Sequence, residues 1–173
     1  MLTGTVERAA GAGYGSLSLV CTPDCAHPAL RDLARAHRLE MASQRGADLG
    51  ERMCHALGTA LAQRPRAVLI GTDAPSLGRD DLVAARAALA DGAEAVFVPA
   101  EDGGYLLAGF SQRVDPALFS GIEWGSNRVW RQTRERLEAL SVRWRALPTR
   151  WDVDRPADVD RWLREEGLTD PGV

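Results

Sequence analysis

GTDAPSL (Gly71–Leu77) is the sharpest chemistry-bearing pattern in the chain, and it begins where the apolar run Ala67–Ile70 ends. Ligands of open α/β sheets bind beyond the carboxyl ends of strands, so Asp73 is expected to point into a crevice. A carboxylate there can hold Mg²⁺ or Mn²⁺, hard cations that prefer oxygen ligands and keep waters for a phosphate to displace. Asp73 is equally suited to closing a turn or capping the next helix, and spacing alone leaves both readings open. Pro75 stiffens the turn and Ser76 offers a hydrogen bond.

EDGGYLLAGF (Glu101–Phe110) is the second pattern. Gly103 and Gly104 make a tight loop in which backbone can approach a ligand closely. Glu101 and Asp102 are candidate catalytic carboxylates that orient or deprotonate an acceptor hydroxyl, and Tyr105 offers a flat amphipathic face. A hairpin turn with solvated acids explains the same residues. WDVDRPADV (Trp151–Val159) sets Asp152 and Asp154 two apart, on one side of an extended segment. One of them can join Asp73 on a metal if the chain returns to the crevice. The other, with Asp158, can cap the last helix, and D-x-D-x-P is sound capping chemistry by itself.

QRGADLGERM (Gln44–Met53) places Gln44, Arg45 and Gly46 before a helix N-terminus, where amides and Arg45 or Arg52 can contact a phosphate or ring. An ordinary capped helix is the alternative. In WGSNRVW (Trp124–Trp130), Trp124 and Ser126 are candidates for an acceptor pocket, though packing against a sheet accounts for both Trp equally well. Cys21, Cys25, His27, Cys54 and His55 match no common zinc spacing and read better as ordinary thiols and imidazoles.

The elements that must position these residues follow from the hydrophobic pattern. Apolar runs alternate with amphipathic stretches, which predicts βα units on a largely parallel sheet. Strands are expected at 16–22, 39–43, 67–73, 93–100, 105–110 and 142–147. Helices are expected at 28–37, 48–63, 79–90, 126–140 and 155–166. Asp48 and Glu51 form a capping-box pattern, and Pro28 and Pro156 suit first helical turns. The run Ala67–Ile70 is continuously apolar, as in a strand covered on both faces. There are no repeats and no linker, so residues 1–173 read as one domain.

Composition narrows the function. The chain has 173 residues, a net charge of -3 and a pI near 5.6, with no basic footprint for nucleic acid. No run of 18 apolar residues is present, so no membrane span is expected. All 21 basic residues are Arg, so a cation that handles phosphate here must be Arg, His or a metal. Three Cys without an export signal suggest a reducing, cytoplasmic location.

Taken together and in register, GADLGERM, IGTDAPSL, PAEDGGYLLAGF, the W-G-S segment and DVDRPADV resemble the bacterial radical-SAM/selenodomain-associated, glycosyltransferase-like proteins. These belong to the GT-A-fold nucleotidyl and glycosyl transferase group, and the resemblance runs over roughly residues 16–165. It implies a three-layer α/β/α fold with a mostly parallel sheet. It also implies a divalent metal on Asp73, with Asp152 as second ligand, and a Glu101–Gly104 loop that faces the acceptor. The implied partners are a nucleotide or nucleotide sugar and a small acceptor. The implied activity is glycosyl transfer, with nucleotidyl transfer or a non-catalytic nucleotide-binding module as alternatives.

Such relatives open with a strand and a Gly-rich loop bearing Lys and Arg. This sequence has no such segment, and a truncated sheet is expected, with Val6–Ala10 as part of the helix after the missing strand. The gap would be compensated by the N-terminal residues, by a partner strand (a homo-oligomer included), or not at all, at a cost in stability.

Overall fold

The computed structural model describes residues 1–165. Helix α1 (Leu2–Gly11) opens the chain, followed by β1 (Ser18–Cys21), α2 (Pro28–His37), β2 (Glu40–Ser43) and α3 (Leu49–Leu61). Then come β3 (Arg66–Ile70), α4 (Arg79–Ala90), β4 (Ala95–Pro99) and β5 (Tyr105–Ser111). A 3-10 turn (Pro116–Leu118), α5 (Val129–Ala139), β6 (Trp144–Ala146) and α6 (Pro156–Glu165) complete it. Glu166, the expected last residue of the final helix, lies outside the described residues.

Local chemistry explains most boundaries. Asp48 accepts a hydrogen bond from the Glu51 amide at 2.8 Å, and Glu51 reaches back to the Ala47 amide at 2.8 Å, closing the first turn of α3. His27 caps α2 through Nδ1, which accepts from the Ala29 amide at 3.2 Å. The helix expected from Ser126 begins instead at Val129. Gly125 has positive φ, and the Ser126 hydroxyl accepts from the Arg128 amide at 3.2 Å, so residues 125–128 form a turn that only then feeds the helix.

Four strands form one sheet in the order β3-β5-β4-β6, while β1 and β2 form a separate parallel pair. One strand runs against an otherwise parallel set. β5 runs antiparallel to both β3 and β4, and β4 pairs parallel with β6. The cause is the short Ala100–Gly104 connection, which is long enough for a hairpin and too short for a helical crossover. β3 and β4 therefore point the same way, and the carboxyl ends of β3, β4 and β6 share one rim of the sheet.

Layering follows the period-two alternation of the strands. Val96 and Val98 of β4 pack with α4 residues Leu82, Ala85 and Leu89 on one face. Ala95 and Phe97 pack with Leu57, Phe110, Phe119 and Leu137 on the other. Helices thus cover both faces of the sheet, giving the α/β/α arrangement. Helix α1 lies against the α4 side: Val6 is buried, and the Tyr14 hydroxyl donates to the Leu82 carbonyl at 2.9 Å. The N-terminal residues are helical and do not serve as a strand. Among the described residues β1 pairs only with β2, and β3 only with β5, so each keeps an unpaired edge. No described helix is long and apolar enough to cross a membrane.

Candidate functional site

The rim shared by β3, β4 and β6 carries three acid-bearing segments. The first is the turn after β3. The Asp73 carboxylate folds over Gly71, where a Cβ would lie 2.7 Å from Oδ1 and would push the carboxylate aside. The second is the Ala100–Gly104 hairpin loop. Gly103 has φ +94°, and its Cα faces the Asn127 carbonyl so closely that a Cβ would sit 2.3 Å from that oxygen. The Trp130 amide donates to the Gly103 carbonyl at 2.8 Å, and Asp102 Oδ1 accepts from the Gly104 amide at 2.8 Å. The loop is thereby docked on the start of α5 with Asp102 held in a fixed turn.

The third segment continues β6 past Ala146. The Leu147 amide donates to the Phe97 carbonyl at 2.8 Å, the Arg150 amide to the Pro99 carbonyl at 3.0 Å, and the Glu101 amide to the Arg150 carbonyl at 3.0 Å. The chain then turns toward Asp73. The Ser76 hydroxyl donates to the Trp151 carbonyl and accepts from the Trp151 amide at 2.8 Å. The Val153 amide donates to the Asp73 carbonyl at 2.9 Å. Asp158 accepts from the Arg155 amide at 2.8 Å and the Asp154 amide at 3.2 Å, closing the first turn of α6 as its capping role predicts.

This convergence gathers Asp102, Asp152 and Asp154, each of which offers a carboxylate oxygen within 4.8 Å of the others. Among the described residues no other three His, Cys, Asp or Glu side chains come so close, and Cys21, Cys25, His27, Cys54 and His55 form no such group. Burial and then the crowding of like charges work against ionisation of Asp152 and Asp154. The Asp152 carboxyl is pushed up to about 6, first by burial and then by the charges of Asp102, Asp154 and Asp73. Asp154 is raised as well, by burial and by Asp102, Asp73 and Asp158. A donor set made only of carboxylate oxygens fits a hard divalent cation such as Mg²⁺ or Mn²⁺, which would relieve the repulsion.

The expected ligand Asp152 lies inside this group. Asp73 borders it, close enough to act on both Asp152 and Asp154, but its carboxylate is outside the closest three. Asp102, expected on the acceptor side, sits among the potential ligands. Glu101 is turned elsewhere: its two oxygens accept from Arg161 at 2.8 and 3.3 Å. That pairing holds its carboxyl below the ordinary range, which makes it a poor proton acceptor. Arg161 also stacks over Trp151 at 4.3 Å from the ring centroid.

The aromatic candidates belong to the packing. Tyr105 stands edge-on to Phe97 and Trp124, and its hydroxyl is buried without a hydrogen-bond partner. Trp124 stacks on Phe119 and lies so close to Gly50 that a Cβ there would meet the indole at 2.7 Å. Ser126 is spent on its own turn. In the loop after β2, the Gln44 amide donates to the Cys21 carbonyl at 2.8 Å, and its side chain reaches the Val20 carbonyl at 3.4 Å. Gly46 has φ +139°, and its carbonyl accepts from Arg52 at 3.2 Å. Arg45 is exposed and makes no ion pair among the described residues. The sequence showed Asp154 only as an alternative to Asp152. Its D-x-D spacing was the available signal.

The fold recurs in solved structures. A protein from Desulfovibrio desulfuricans G20, provisionally assigned as a nucleotide-diphospho-sugar transferase, superposes with a TM-score of 0.83 and 28% identity over 98% of this chain and 74% of its own. A CMP:2-keto-3-deoxy-manno-octonic acid synthetase complexed with CTP superposes with a TM-score of 0.66 over 96% of this chain and 87% of its own. At 12% identity it is alike in fold only. The fold is thus GT-A-like. No curated protein matches the sequence. The family model for an uncharacterized protein conserved in bacteria (DUF2064) matches residues 5–126, and the chain belongs to that family.

Proposed function

We propose that this protein is a divalent-metal-dependent transferase of the GT-A type that moves a glycosyl group from a nucleotide-diphosphate sugar to a small acceptor. The observation that carries the reading is the convergence of Asp102, Asp152 and Asp154 within 4.8 Å, beside the turn that holds Asp73. Its place at the carboxyl ends of β3 and β4 is where open α/β sheets bind ligands. Mg²⁺ or Mn²⁺ held by these carboxylates would supply charge neutralisation for a diphosphate leaving group.

The chain's own residues then divide the work. Asp102, Asp152 and Asp154 would hold the cation, with Asp73 adding negative potential at the rim. Gly103 and Gly104 keep the loop low, so an acceptor can approach Asp102 closely. Arg45, in a chain without Lys, is the exposed cation nearest in sequence to the α3 N-terminus and is available to phosphate oxygens. Glu101 serves the site through its ion pair with Arg161, which ties α6 to the hairpin loop. The provisional assignment of the Desulfovibrio protein favours a nucleotide-sugar donor.

Incubation with Mn²⁺ and a panel of UDP- and GDP-sugars or nucleoside triphosphates tests the proposal. Release of nucleoside diphosphate from a sugar nucleotide is expected. Pyrophosphate release from a triphosphate would instead make the protein a nucleotidyltransferase. Mn²⁺-dependent nucleotide binding without turnover of either donor would leave a non-catalytic module.

A further inference from the structure

We propose that Asp81 and Arg150 form a positioning pair that sets the spacing of the acid group, although neither hydrogen-bonds to Asp102, Asp152 or Asp154. The inference rests on the reading of that group as a divalent-cation site.

Asp81 lies in the first turn of α4 and is 6% exposed, an uncommon location for a carboxylate. Its oxygens are fully used. Oδ1 accepts from Arg150 Nη2 at 2.7 Å, and Oδ2 accepts from Arg150 Nε at 3.0 Å and from the Gly78 amide at 2.9 Å. The planar guanidinium meets the carboxylate as a two-pronged fork, which fixes direction as well as distance. Burying Asp81 costs desolvation that a half-buried Arg150 offsets only in part, so stability alone accounts poorly for the pair. Geometry accounts for it better.

Arg150 is the residue on which the acid-bearing segments meet. Its amide and carbonyl pair with Pro99 and Glu101 at either side of the hairpin-loop entrance, one residue before Asp102. Its side chain grips the helix that follows the Asp73 turn. Trp151 and Asp152 come next in sequence, and Ser76 holds Trp151 from the same turn. With the Arg150 side chain loosened, the 150–154 segment keeps its backbone bonds and the Ser76–Trp151 contact but loses its anchor on α4, and it gains room to shift within those remaining ties. Carboxylates that must share one cation tolerate little of that. Partners hydrogen-bonded directly to metal ligands typically account for about 10- to 100-fold in affinity, and a pair one step further out should sit at the low end of that range.

The test is Mn²⁺ binding, followed by electron paramagnetic resonance, together with the melting temperature of each protein. Asp81→Asn removes the charge and keeps the shape. Arg150→Lys keeps the charge and removes the fork. The double variant Asp81→Leu/Arg150→Met replaces the pair by apolar groups and leaves no unpaired charge, with the Gly78 amide as the one group that loses its acceptor. Wild-type protein should bind Mn²⁺. Each folded variant should bind it about 10-fold more weakly, and the double variant should do so even where its melting temperature matches the wild type. Wild-type Mn²⁺ affinity in the double variant or in both single variants would reduce the pair to a structural contact and overturn the inference. Failure of the wild-type protein to bind Mn²⁺ would remove the cation site itself, and with it both this inference and the proposed function.

Discussion

Gly103→Ala is the substitution for which the structure sets the clearest expectation. Residue 103 has φ +94°, a conformation that L side chains rarely adopt, and a Cβ there would stand 2.3 Å from the Asn127 carbonyl oxygen and 2.7 Å from its Cα. All these contacts are with backbone, so no flexible side chain can give way. The dihedral strain amounts to about 1–3 kcal/mol and the overpacking to about the same again. Together, roughly 2–6 kcal/mol should lower the melting temperature by roughly 4–24 °C in a domain of this size. Gly92→Ala supplies the control. It has φ +96°, and a Cβ there would find nothing within 4 Å, so only the conformational strain applies, about 1–2 kcal/mol. Calorimetry on the two variants separates strain from collision. Because relief of the clash must lift the hairpin loop off α5 and take Asp102 with it, Gly103→Ala should also weaken Mn²⁺ binding without altering a carboxylate. If the two variants melt alike, the docking of this loop on Asn127 is not what holds it, and Asp102 owes its placement to something else.

Other expectations follow from the same geometry. Asp152→Asn should abolish Mn²⁺ binding in calorimetry yet melt no lower than the wild type without metal, because it relieves repulsion from Asp102, Asp154 and Asp73; a large drop in melting temperature would show a structural role instead. Glu101→Gln should lower turnover less than Asp102→Asn in a steady-state assay, since Glu101 is committed to Arg161; the reverse order would restore Glu101 as the base. Gly109→Ala should destabilise by about 1–3 kcal/mol in denaturant titration, because its Cβ would meet Val96 at 2.8 Å and Val68 at 3.0 Å in the middle of the sheet. An apolar strand added ahead of residue 1 should raise the melting temperature, since β1 and β3 each keep an unpaired edge among the described residues; an unchanged value would show those edges to be satisfied by solvent.

Much of this was legible in the residues themselves, and the reasons are local. The helix Pro28–His37 has Pro in its first turn and apolar residues at helical spacing, so neighbours along the chain sufficed to define it. Asp48 and Glu51 marked the start of α3 for the same reason. Strand existence came from apolar runs, and Gly103-Gly104 marked the tight loop. Asp73 and Asp152 stood out because each follows or precedes an element whose end could be read.

Tertiary structure decided the rest. Strand direction depends on which strands pair, and the insertion of β5 between β3 and β4 has no local signature beyond a short connection. Whether an acid faces solvent, an Arg or other acids depends on segments far apart in sequence. Glu101 and Asp102 are adjacent and indistinguishable by pattern, yet one meets Arg161 and the other meets Asp152 and Asp154. Tyr105 was expected to offer its face to a ligand and Trp124 suited a pocket or a core equally well, and only folding packs Phe97 against the one and Phe119 and Gly50 against the other. Propensity and capping act over a few residues, which a sequence displays directly. Charge and packing act through space, and that neighbourhood exists only once the chain has folded.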